Sequence, residues 1–243
     1  MDSFLDKLGV YDFFNLIGAG GVFVCGIHVI GVVEIKKIIS LMGTGNGVLD
    51  VALFLGMCFL IGAVFQSLGS VICKGDYKKQ LMDHLLSDNS EVVKNEIARE
   101  NHKKRANKLL SDSDLTVEDV SVETLYEFYF SHSEHSIHVY NKDSKTERMR
   151  NLRGLSSTLM GCFSVLVLIA VLKIVFNNTL SFFACGVDRN IMFLFVLCVV
   201  FVGMALFNRM AYQRNTLFWM QMVLDVYQAS TDCENNFILR KDE

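Results

Sequence analysis

Three histidines, His132, His135 and His138, follow one another at intervals of three. On a helix that spacing lays three imidazoles along one arc, which is how a metal site can begin. Nothing at ligand spacing completes the set, and His132 also falls among apolar residues. Packing or hydrogen bonding is therefore the expectation, and no metal is assigned. The chain has no Gly-x-Ser-x-Gly elbow, no His-Glu-x-x-His pair and no phosphate-binding loop. Gly43 to Gly47 is glycine-rich but starts no nucleotide-binding unit and reads as a flexible loop. No catalytic residue, cofactor or enzymatic activity is expected.

A second set of polar residues stands in apolar surroundings. Asn15 and His28 lie in one uncharged stretch, and Gln66, Ser67 and Ser70 in another. Polar groups in hydrocarbon face other helices or water. Asn15, His28, Gln66 and Ser67 are thus candidates for lining a pore or joining helices, with Asn15 and His28 expected on one side of their helix. No acid lies deep in any apolar stretch, which argues against a proton-driven carrier.

The elements that must hold these residues are long apolar helices. Phe13 to Val33, Val51 to Ile72, Leu155 to Leu172 (continuing past Lys173 to Phe176) and Ile191 to Phe207 carry no other charge. A membrane-crossing helix takes about 20 apolar residues. The 243 residues include no proline and are 51% hydrophobic, with a mean hydropathy of +0.35. Proline-free helices run without breaks, and a barrel or sandwich of many short strands would need more turn-forming residues. The fold class expected is all-α, with four transmembrane helices and a helical cytoplasmic module. Residues 1–72 form a first transmembrane hairpin, 73–154 a cytoplasmic helical segment, 155–208 a second hairpin, and 209–243 a cytoplasmic C-terminal helix and tail.

Charge sets the expected orientation. Lys74, Lys78 and Lys79 leave the second span, Lys142, Lys145, Arg148, Arg150 and Arg153 lead into the third, and Arg209 and Arg214 follow the fourth. Lysine and arginine near span ends favour the cytoplasm, so both termini and the central segment are expected there. Lys36 and Lys37 point the other way and are outvoted. Lys145, Arg148, Arg150 and Arg153 read as an anchor for lipid headgroups. Of the seven cysteines, Cys185 alone falls outside, so no disulfide framework is expected.

Within the central segment, Asn89 or Ser90 is expected to cap a charged helix running to about Leu110. Its acids and bases nearly balance, so nucleic acid is not expected as a partner. Val122 to Tyr140 carries two apolar stripes, and a soluble-side helix apolar on two sides would be packed on both. Leu125, Tyr126, Tyr129, Phe130 and Ile137 are therefore candidates for an oligomer interface. Beyond it, helices are expected to run from about Lys142 into the third span and from the fourth span to about Tyr227.

The run from Leu8 to Gly18, with Tyr11, Phe14 and Asn15 in a Tyr-x-x-Phe-Asn pattern, and the basic run from Lys145 to Ser156 resemble a loosely defined set of bacterial four-span membrane proteins. Some of these are encoded beside phage-defence genes, including CRISPR effectors. Members often have Pro-Gly where this chain has Gly18 and Ala19, so an expected helix kink is missing. The resemblance implies the bacterial inner membrane and antiviral defence, and supplies no catalytic residues. The expected function is a homo-oligomeric effector that perturbs or permeabilises the membrane on a cytoplasmic signal. Its rival is a non-pore adaptor that anchors or regulates a cytoplasmic partner.

Overall fold

The computed structural model describes residues 10–73, 77–111, 121–139, 144–176 and 190–239. The expectations for Lys74, Lys142 and Cys185 lie outside what is described. Among the described residues eight helices follow in order: α1 Val10–Ile30, α2 Ile35–Met42, α3 Gly47–Cys73, α4 Tyr77–Asp83, α5 Glu96–Ser111, α6 Val122–Val139, α7 Ser144–Phe176 and α8 Ile191–Leu239. No strand occurs among the described residues. Four helices, α1, α3, α7 and α8, are long and apolar enough to cross a membrane. At 1.5 Å per residue, the 33 residues of α7 and 49 of α8 reach about 50 and 70 Å, against a hydrocarbon core of about 30 Å.

The chain divides into two compact units, one of residues 1–74 and 151–212, the other of 75–150 and 213–243. The first holds α1, α2, α3, most of α7 and the first part of α8. Its helices meet backbone to backbone. A Cβ on Gly20 would fall on the Cys58 carbonyl, one on Gly62 on the Leu16 carbonyl, and one on Gly69 on the Ser157 carbonyl. Lipid tails supply no hydrophobic drive for one helix to leave them for another, so close approach through small residues is what holds such helices together. Cys58, Gly62, Phe65 and Gly69 accordingly form the buried stripe of α3. Around it, Ile30, Phe65, Phe163, Leu166, Leu194 and Phe201 make a core, with Phe23 and Phe65 rings 4.7 Å apart.

The ends of α1 and α3 are fastened by local chemistry. Gly31, at φ 84°, ends α1 in a Schellman turn, with Val32 N–H on the Ile27 carbonyl and Gly31 N–H on that of His28, each at 3.0 Å. The glycine-rich loop before α3 is bonded rather than loose. Asp50 Oδ1 accepts from the Thr44 N–H at 2.8 Å and its hydroxyl at 2.9 Å, and Asn46 Oδ1 accepts the Val48 N–H at 3.1 Å.

The second unit is a conventional apolar core under a charged surface. Leu81, Leu85 and Leu86 from α4 and its following turn, Ala106 and Leu110 of α5, five residues of α6, and Trp219, Met220, Leu224 and Tyr227 of α8 are all buried in it. One helix start differs from expectation. Asn95, not Asn89 or Ser90, caps α5, its Oδ1 accepting the Ile97 N–H at 2.9 Å. Ser90 is spent on the preceding turn, where its hydroxyl donates to the Leu85 carbonyl at 2.6 Å and accepts the Val93 N–H at 3.0 Å.

Candidate functional site

In the first unit the polar residues of α3 stand on its outer side. Gln66, Ser67 and Ser70 are exposed. The two hydroxyls return to their own helix, Ser67 to the Ala63 carbonyl at 3.3 Å and Ser70 to that of Ser67 at 2.7 Å. Gln66 and Ser70 are about 40° apart on the helix and share a strip beside the buried stripe. Gln66 lies about 9 Å along the helix axis from Ile72, at the end of the uncharged run.

Asn15 and His28 do not join this strip as a pair. Thirteen steps of about 100° put them roughly 140° apart, on different sides of α1. Asn15 is half-buried. His28 is taken up by the turn that ends its helix. Its Nδ1 accepts the Ile35 N–H at 3.4 Å in one tautomer and lies 3.3 Å from the Val33 carbonyl, to which it donates in the other. The residues of the span itself had given no sign of this turn.

The five interface candidates of α6 all lie inside the second unit's own core. Leu125, Tyr126, Tyr129, Phe130 and Ile137 are 7%, 9%, 0%, 1% and 2% exposed. The two stripes of α6 are adjacent, not opposed, so together with Ser133 they make one broad buried face. Side chains covered by their own chain offer nothing to another subunit, and a second subunit is not needed to explain them. Phe130 meets Trp219 edge-on at 5.2 Å, and Tyr129 meets Tyr227 at 5.9 Å. What α6 leaves outside is Val122, Phe128 and Val139.

A polar pair lies in this core, between residues whose spacing gave no hint of it. His102 Nδ1 and Tyr129 Oη are 2.6 Å apart, both residues at most 1% exposed. Burial pushes the Tyr129 phenol well above its usual range, so the hydroxyl stays protonated. Next to it, His132 sets its ring edge-on to Tyr227 at 5.9 Å, and its Nδ1 has no hydrogen-bond partner. Burial first, and His135 second, lower its pKa.

The histidine arc is split in this way. His132 turns inward, whereas His135 and His138 line an open cavity of about 270 Å³ with Glu134, Glu147, Arg150 and Trp219. No group of histidines, cysteines or acids able to hold a metal occurs among the described residues. Of the four basic anchor candidates, Lys145 and Arg148 are exposed, Arg150 is at the rim of this cavity, and Arg153 is half-buried. No single residue class marks the cavity in the sequence. It exists because the end of α6, the start of α7 and one face of α8 converge. No protein-family model, no curated protein and no solved structure matches this chain.

Proposed function

We propose that this chain is a four-span protein of the bacterial inner membrane that assembles with copies of itself and permeabilises or perturbs the membrane when a cytoplasmic signal arrives, in antiviral defence. Both termini and the charged second unit face the cytoplasm in this reading. The exposed Lys78, Lys79, Lys145, Arg148 and Arg209 support that orientation. An impermeant thiol reagent should label Cys185 in intact cells and Cys233 only after lysis. Labelling of Cys233 in intact cells would reverse it.

One observation carries the assembly. Gln66 is exposed on the outer side of a bundle of helices apolar enough to cross a membrane, which in this reading stand in hydrocarbon. An amide moved from water into such a medium without a hydrogen-bond partner costs about 4–8 kcal/mol. A second copy of the chain, or water held between copies, removes that cost, and a wet seam between subunits is a route for ions. Gln66→Leu should leave insertion intact and abolish depolarisation of cells expressing matched amounts of protein, because apolar constrictions dewet. A wild-type protein that never depolarises cells would end the pore reading. The adaptor reading would then stand on the second unit's cavity, where Arg150, two histidines and two glutamates surround Trp219.

A further inference from the structure

The short helix α2 is not needed to join α1 to α3, and its two sides differ in kind. At about 100° per residue, Ile35, Ile38 and Ile39 fall within one arc of about 100°, and Lys36, Ser40 and Lys37 within the opposite one. The structure uses this division. Ile35 and Ile38 are half-buried, Ile39 is 46% exposed, and both lysines are exposed. Ser40 donates to the Lys37 carbonyl at 2.9 Å, which keeps its hydroxyl on the polar side, and Lys37 Nζ lies 4.0 Å from Glu34.

Position decides what covers the apolar side. The Schellman turn at Gly31 ends α1 just before α2, and the bonded turn from Thr44 to Asp50 starts α3 just after it. Both neighbours are helices able to span a membrane. A helix pinned between the adjacent ends of two spans sits at the edge of the hydrocarbon, where the medium is lipid acyl chain on one side and headgroup on the other. An amphipathic helix with lysines on its polar side lies flat in such a boundary. We infer that α2 is an interfacial helix that rests Ile39 on acyl chains and binds the phosphates of anionic phospholipids through Lys36 and Lys37.

This inference rests on the spanning of α1 and α3 and not on the pore. It also explains lysines at the end of a hairpin where most of the chain's basic residues are not found: they answer to a headgroup. Glu34 trims the attraction by engaging Lys37, so Lys36 is the stronger of the two contacts.

The test uses the full-length protein in bilayers with brominated acyl chains. Trp219 is the only tryptophan and provides the blank. Ile39→Trp should add emission that lipid bromines quench and aqueous iodide does not. Lys36→Trp should add emission with the opposite pattern. With bromines carried on phosphatidylglycerol in a phosphatidylcholine bilayer, quenching in the Ile39→Trp protein should exceed that expected from mixing, by roughly fivefold in local enrichment per lysine. Adding Lys36→Gln and Lys37→Gln should remove the excess. Equal iodide quenching at positions 36 and 39 would overturn the inference, since the helix would then stand in water. Position 39 shielded from both quenchers would also overturn it, because protein would be covering the site. Loss of the pore without change in these signals would leave it standing.

Discussion

The two units bury apolar residues for opposite reasons. In the second, Tyr129, Phe130, Met220 and Leu224 are at most 1% exposed, while the surface is charged: Arg99 reaches Asp88 at 3.3 Å and Lys103 reaches Glu100 at 3.1 Å. Water drives that arrangement. In the first, large apolar residues lie outside as well as inside. Leu60, Val64 and Val71 of α3 are 66–68% exposed, and Met192 of α8 is 73% exposed. There the discriminating positions are the small ones, Gly20, Gly62 and Gly69, which decide where backbones touch. One chain thus carries two packing codes, one written in large side chains and one in missing ones.

The difference can be broken first where side chains carry it. Phe130→Ala should lower the second unit's stability by about 3–5 kcal/mol, because it empties a fully buried site against Trp219. Thermal unfolding followed by Trp219 fluorescence reads it directly. A loss under about 1 kcal/mol would mean the core is looser than its burial shows. Next comes the code of small residues. A side chain at Gly62 meets the Leu16 backbone, which is unable to yield as a side chain would. Gly62→Val should cost about 3 kcal/mol and separate α1 from α3, whereas Leu60→Ala on the outer side should change stability by less than about 0.5 kcal/mol. Crosslinking between cysteines introduced in α1 and α3 distinguishes the two. Equal effects would show that the outer stripe is packed against protein.

Smaller effects sharpen the account of the second unit. Tyr129→Phe removes the 2.6 Å contact with His102 inside the buried core. Stability should fall by about 2 kcal/mol, and His102→Phe in the same background should recover part of it. The smallest effect is pH-dependent. The folded chain keeps His132 neutral, with its pKa below the ordinary value of about 6.5. The unfolded chain therefore takes up a proton first as pH falls. The stabilisation is fully present above about pH 6.5 and is lost below it, down to the folded pKa. Melting temperatures at pH 7.5 and 5.5 should differ less for His132→Gln than for the wild type. An identical difference would show that other groups set the acid response.

Four helices long and apolar enough to cross a membrane, and the lack of strands among the described residues, were legible in the sequence because uncharged runs and a lack of proline are one-dimensional facts. So was the continuation of α8 through Leu217, Met220, Leu224 and Tyr227, since a stripe at helical spacing needs only the helix to be read. The buried face of α6 was half legible. Its apolar residues were found, but two stripes suggested two partners, and only the packed unit shows one face filled from within. Charge could point to a membrane side, yet it could not show that Lys36 and Lys37 sit on a helix with a separate apolar face at a hairpin's end. Nor could spacing within α1 show that His28 would close a turn, or that His102 would find Tyr129 27 residues away at 2.6 Å. Composition and periodicity fix which residues must leave water. Which of those then meet one another depends on chain reversals, and no repeat along a single helix encodes those.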